Sequence, residues 1–172
     1  MNSKLKMVFQ RRSVRRFKSG GLSDAVVNDL LEAAMAAPSA CAKDPWHFVV
    51  IRTPATLQRI ADGLPNGQML REAAAGIAVC GDPARAHDGQ LSYLLQDCSA
   101  AIENLLVAAS ALGLGACWLG VHPREDRLVH LRQVLGIPES ILPVAVIALG
   151  LPGEEKPLRT RYAADKVHQE KW

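Results

Sequence analysis

QLSYLLQDCSAAIENLLVAASALGLGACWLG, residues 90–120, sets the architecture of the chain. From Leu91 to Leu112 the positions Leu94, Leu95, Ile102, Leu105, Leu106, Val107, Ala108, Ala109 and Leu112 cover nearly every side. Polar residues keep to a thin stripe at Gln96, Ser99, Glu103 and Ser110. This pattern predicts a helix enclosed by protein, with one narrow face left for solvent, a partner or a ligand. At 1.5 Å per residue it would run roughly 30 Å, the diameter of a small domain, so the remaining segments are expected to pack around it. Gly113 is placed to close the helix in a left-handed conformation, with Leu114 folding back as its apolar contact. Gly115 then opens Ala116-Cys117-Trp118-Leu119-Gly120, where small residues beside an indole can bring backbone against something flat. Trp118 as simple core is the plainer alternative.

The composition around this helix is that of one globular domain spanning residues 1–172: 49% hydrophobic, 22% charged, with mass for a single core. Asp97, Glu103 and the many alanines argue against a bilayer span, and the basic start lacks the apolar core of a signal peptide. Cys41, Cys80, Cys98 and Cys117 stand singly, with no CxxC pair. No metal site is indicated, and free thiols suit a cytoplasmic protein. The net charge of +3 is unevenly placed. Lys4, Lys6, Arg11, Arg12, Arg15, Arg16 and Lys18 all precede the first acidic residue, Asp24, so the remainder of the chain is net acidic. Nucleic acid is the first thought for such a cluster, but it lacks interleaved aromatics and a recognisable reading helix. A local anion site, such as a phosphate held by guanidinium forks and a hydroxyl, fits better. Arg11, Ser13 and Arg15 form one candidate set if the run is extended, and a turn would add Arg12.

The elements follow from pattern. Leu5–Gln10 reads as a short helix. Ser23 caps a helix reaching Ala37, with Asp24 in its first turn. The small, polar loop Pro38-Ser39-Ala40-Cys41-Ala42-Lys43-Asp44-Pro45 feeds a strand, Trp46–Ile51, with Trp46 and His47 expected in packing roles. Thr53 caps a helix with Pro54 at its first position. Gln68–Ala74 is a further short helix, Gly76–Cys80 a strand, and Asp82–Gly89 a loop too short to be a lid. Pro123 is expected to open a helix closed by Gly136, with His122 just ahead of it. Ile141–Leu149 is an apolar run typical of a strand covered on both faces, Pro143 marking the sheet margin. In the charged tail from Gly150 to Trp172, Leu158, Tyr162, Val167 and Trp172 are apolar anchors that need a surface, and a second subunit is the candidate.

Arg11-Arg12-Ser13-Val14-Arg15-Arg16-Phe17, Pro38-Ser39 through Pro45-Trp46-His47-Phe48, Asp97 through Asn104-Leu105-Leu106, Gly113 through Gly120 and Lys156 to Arg161 together resemble the FMN-dependent nitroreductase family, in order and separation and over nearly the whole chain. The resemblance implies an α+β fold with a central, mostly antiparallel sheet flanked by helices. It also implies a long buried helix at a dimer interface, a C-terminal extension embracing the partner subunit, and FMN sites built by both chains. Carried over by motif, Arg11, Arg12, Ser13 and Arg15 resemble residues around the flavin phosphate and ribityl chain, and Arg159 or Arg161 would add a phosphate contact. Pro38, Ser39, Ala40 and Ala42 resemble the flavin-contacting loop, with Ser39 often supplied across the interface. Cys117, Trp118, Leu119 and Gly120 resemble the segment beside the isoalloxazine ring. Asn104 would support the interface or packing rather than touch substrate. Ala42 and Asp44 stand where the family often has asparagine and glutamine, which removes an amide and places a negative charge near the flavin.

The implied activity is reduction of a nitroaromatic, quinone or similar acceptor by NADH or NADPH in a ping-pong cycle, with no catalytic side chain and no metal. No GxGxxG fold is present for the nicotinamide cofactor, in keeping with its role as a transient substrate. The competing readings are a specialised flavin reductase or dehydrogenase of the same fold, a flavin-binding protein without efficient turnover, and, weakest, a nucleic-acid-binding domain.

Overall fold

The computed structural model describes residues 2–172. Among these described residues five α-helices, α1 Lys6–Gln10, α2 Asp24–Met35, α3 Pro54–Asp62, α4 Leu91–Ala111 and α5 Glu125–Leu135, surround five strands, β1 Phe17–Lys18, β2 Trp46–Ile51, β3 Ala75–Gly81, β4 Gly115–Gly120 and β5 Leu142–Pro152. All strand pairings in the sheet are antiparallel. The order is β1-β5-β3-β2, and β4 also pairs with β5. The alternation of strand side chains builds two cores. Ile77, Val79, Ala145, Ile147 and Leu149 pack with Leu30 and Ala34 of α2 and with Leu94, Ile102 and Leu105 of α4. Ala78, Cys80, Val146 and Ala148 face the other way, onto Leu57 and Ile60 of α3 and Leu128 and Leu131 of α5. The chain is therefore three layers deep, and β5 is apolar throughout because both of its faces are covered.

The long helix ends as its sequence specifies. Gly113 is left-handed, with φ of 73°. Its N–H donates to the Ser110 carbonyl at 3.1 Å and that of Leu114 to Ala109 at 2.8 Å, the paired closure that satisfies the last carbonyls. The enclosure is narrower than the pattern suggests. Leu91 and Leu112 are 47% and 48% exposed, and Leu95, Val107 and Ala108 are half-buried, because the sheet and α2 cover only one side of α4. Asp97, in contrast, is buried on that helix.

Local chemistry sets the other boundaries. The Ser23 hydroxyl accepts from Val26 N–H, and α2 stops at Met35, two residues short of Ala37. Thr53 makes no side-chain cap although Pro54 does stand in the first turn of α3. Pro123 follows a cis bond and does not open α5, which starts at Glu125 after Arg124. Pro143 lacks an N–H, and the β3–β5 register slips beside it: Val79 pairs with Ala145 and Cys80 with Pro143. The skipped Val144 offers its carbonyl to the N–H groups of Val121 and His122 at 3.1 and 3.2 Å. His47 is exposed rather than packed. Among the described residues no helix is long and apolar enough to cross a membrane.

Candidate active site

The segment from Arg11 to Phe17 lies along the outer side of β4. Val14 is buried and its N–H donates to the Ala116 carbonyl at 2.9 Å, while Ser13 forms a parallel bridge with Ala116. This docking turns successive arginines to different places. Arg15 lines a cavity of about 380 Å³ with Cys117, Trp118, Leu119, Gly120, Asn66, Met69 and Arg127. Arg11 and Arg12 line a separate cavity of about 230 Å³ with Arg159 and Arg161. The proposed phosphate set is thus split within one chain. Arg11 Nε pairs with Glu103 of α4 at 3.0 Å, Arg12 donates to the Pro157 carbonyl, and Ser13 lines neither cavity.

The start of the tail is clipped onto this segment. Gly153 N–H donates to Arg16 O at 2.8 Å, Arg15 N–H to Glu154 Oε1 at 2.6 Å, and Lys156 Nζ to Ser13 O at 2.8 Å and to Glu154 Oε1 at 3.0 Å. The Arg15 backbone N–H is the main cause holding the Glu154 carboxyl below its ordinary 4.5, with Lys156 adding to it. A lowered carboxylate contributes stability that is complete above its unfolded value and is lost as pH falls through its folded one. The advantage of the natural chain over Glu154→Gln in thermal unfolding is therefore expected to hold from neutrality down to pH 4.5 and to shrink below it. An advantage that grows with acidity would rule the clip out. Past Arg161 the tail is largely exposed: Tyr162 is 75% exposed and Trp172 fully so.

The 380 Å³ cavity suits a flat, anionic ligand. Trp118 is 36% exposed and offers an indole face, so it is not plain core. A Cβ at Gly120 would meet nothing within 4 Å, so the backbone itself borders open space. Arg127 holds this end of β4 by donating from Nη1 to Gly120 O at 2.8 Å, while its buried Nε has no partner. Burial pushes the Cys117 thiol up, against the pull of Arg15 and Lys156, so it lines the cavity as an inert group. Asn66, Met69 and Arg127 escaped the sequence reading because a turn and an amphipathic helix carry no ligand signature of their own.

The loop 38–45 lies elsewhere. Ala42 lines a different cavity, with Cys41, Lys43 and residues 84–89; Pro38, Ser39 and Ala40 border none of these three. Cys41, Ala42 and Asp44 have φ of 51°, 51° and 46°, left-handed values that non-glycine residues seldom adopt. Two internal bonds hold this shape. The Ser39 hydroxyl donates to Asp44 Oδ1 and accepts from Asp44 N–H, the latter at 3.0 Å. Ala40 N–H donates to the buried Asp97 Oδ1 at 2.9 Å, leaving Oδ2 without a partner. Asp44 fastens the loop to Ser39. Ala40 cannot offer its N–H to a ligand, since Asp97 holds it. Asp97 was read as a charge against a bilayer span and as the start of the segment 97–106, not as a buried partner of this loop; an acid among apolar helix positions was the available signal.

Ala42→Asn is expected to be neutral to stabilising by up to about 1 kcal/mol, because left-handed backbone costs alanine roughly that much and asparagine less. Urea unfolding would measure it, and a clear loss of stability would contradict the left-handed assignment.

A model of the nitroreductase family matches residues 8–64 and 62–151 of this chain. Over 175 residues the chain is 45% identical to the "Putative NADH dehydrogenase/NAD(P)H nitroreductase" of Archaeoglobus fulgidus, covering 100% of both. The crystal structure of a Bacteroides thetaiotaomicron protein of the same name superposes with a TM-score of 0.93 at 38% identity, covering 100% of this chain and 99% of that one. A nitroreductase-like protein from Desulfovibrio desulfuricans, solved in complex with FMN, gives a TM-score of 0.84 at 30% identity, with 100% and 99% covered.

Proposed function

The chain belongs to the nitroreductase family, and from that premise we propose that it is an FMN-dependent oxidoreductase of 172 residues in one domain, using NADH or NADPH to reduce nitroaromatic, quinone or similar acceptors. The observation that carries the proposal is the cavity in which Arg15, Trp118 and the backbone of 117–120 meet; the arginines 11, 12, 159 and 161 gather at a second one. When bound, FMN supplies the two-electron chemistry, taking hydride from the nicotinamide and giving electrons to the acceptor that follows it in the same cleft. The residues supply binding and position. Guanidinium groups hold phosphate, Trp118 offers an apolar face, and Arg127 steadies the end of β4 through Gly120.

A homodimer completes this reading. Ala42 lines a different cavity from 117–120 within one chain, which supports a second copy as the source of any contact between the loop 38–45 and the same flavin. The half-covered face of α4 and the apolar anchors of the tail provide surface for that copy. Four free cysteines fit a reducing cytoplasm.

The test is a visible spectrum of the purified protein, followed by anaerobic NADH or NADPH and then a quinone. Flavin colour, bleached by nucleotide and restored by the acceptor, is the expected sequence. A colourless protein that takes up no added FMN would end the proposal, and a flavin that no nucleotide bleaches would leave a binding protein without turnover.

A further inference from the structure

The 380 Å³ cavity beside 117–120 is lined by two guanidinium groups, those of Arg15 and Arg127, and by no carboxylate. Among the described residues neither group takes part in an ion pair. Arg15 reaches Glu154 through its backbone N–H and not through its side chain. Arg127 gives one donor, Nη1, to Gly120 O at 2.8 Å, and its buried Nε has no partner. A neutral donor would serve that carbonyl as well, so the contact does not account for a full positive charge at this place. The acids nearby in sequence do not balance it. Glu154 is held by the Arg15 backbone and by Lys156, while Glu125 and Asp126, exposed in the first turn of α5, do not line the cavity. Burial pushes the Cys117 thiol up, which keeps it neutral. Much of the remaining wall is apolar, from Leu64, Met69, Trp118 and Leu119, and such surroundings screen a charge less than water does.

We propose that Arg127 tunes the cofactor of this cavity electrostatically: its charge, added to that of Arg15, favours reduced flavin as an anion over the neutral reduced form. The proposal rests on the flavin reading given above. Hydride from the nicotinamide brings two electrons and one proton, so the neutral oxidised ring is left with one negative charge. Only a second proton would make the ring neutral again. A guanidinium keeps its own protons, so Arg127 cannot supply that one. What it does supply is a fixed positive charge, which lowers the energy of the anion and leaves the two neutral forms nearly unaffected. The ring then keeps the charge that hydride delivers, and the site needs no acid. Arg127 is thus given two separable tasks, a hydrogen bond that holds the end of β4 and a charge that acts on the bound ring.

The test is the midpoint potential of FMN bound to the full chain, followed from pH 5 to 9. The curve bends where the reduced ring stops taking its second proton. In the natural chain the bend is expected below that of free FMN. Arg127→Gln keeps a donor for Gly120 O but removes the charge. It should move the bend up by about one pH unit, a tenfold weaker preference for the anion, intermediate between a charge in water and one in a dry interior. Above the bend its potential should be lower by about 30 mV, which is that tenfold for a two-electron couple, and toward the acid end the two curves should converge. Arg127→Lys, which keeps the charge, should follow the natural chain. A natural chain whose bend is not below that of free FMN overturns the proposal without any variant. So does a Gln variant with an unchanged curve, or one displaced equally at every pH, as loss of shape alone would cause, and so does a Lys variant that follows Gln. A chain that takes up no FMN ends the flavin reading together with this one, whereas bound flavin with any of the preceding results ends this one alone.

Discussion

FMN affinity is expected to fall by about 100-fold or more when Arg11 and Arg15 are both replaced by alanine. Each guanidinium that bonds a phosphate contributes roughly 1.5–3 kcal/mol, and every 1.4 kcal/mol is about a tenfold change in affinity. The substitutions should leave folding almost intact. Arg11 and Glu103 are 32% and 51% exposed, and an ion pair that open to water is worth at most about 1 kcal/mol. The bond from Arg15 to Glu154 comes from its backbone, which alanine keeps. Flavin titration beside a urea unfolding curve separates the two effects. Because Arg15 shares its cavity with 117–120 and Arg11 does not, the single Arg15→Ala change should account for the larger part of the loss. Unaltered flavin binding in the double variant would remove both arginines from the site.

The largest loss of stability is expected from Ile147→Ala. Ile147 has no exposed surface, and it stands in mid-β5 between Ile77 of β3 and Trp118 of β4. Truncation removes buried methyl groups and leaves a void that the flanking strands cannot close, a cost of about 3 kcal/mol. Against a typical total of about 5–15 kcal/mol this is a large fraction, and it should show as a lower urea midpoint with an unchanged slope. Val50→Ala, on the outer strand β2 and 37% exposed, is the control, expected to cost under about 1 kcal/mol. Equal losses at the two positions would contradict the placement of β5 at the centre of the fold.

The elements that were legible in the sequence are those whose signal is local. The run 91–112, its left-handed glycine, the strand at 46–51 and the double-faced strand from 142 each carry their period or composition with them. β1 went unread because two residues, Phe17 and Lys18, have no period; they are a strand only because Pro152 and Leu151 pair with them. The candidate site was legible as a set of segments but not as an arrangement. Nothing in the order Arg11-Arg12-Ser13-Val14-Arg15 says that burying Val14 would send Arg11 and Arg15 to different cavities. Likewise Asp44 looked like a lost amide, whereas its partner, Ser39, is known only once the loop has folded. Both outcomes depend on tertiary contacts, which propensity does not encode.

The position of β5 also bears on how the protein is made. It is the last of the five strands in the chain, and it pairs with β1, β3 and β4. On a ribosome adding about 5–20 residues per second, α2, the β2–β3 pair and α4 emerge while the ladder that unites them is still unsynthesised. For that interval β4 and an edge of β3 are unpaired, and the apolar side of α4 has only part of its cover, the combination that invites contact with other chains. Release of residues 142–152 supplies the missing partner to three strands at once. The nascent chain is therefore most exposed to misassembly just before its final strand appears, and a pause in translation at that point would prolong the risk.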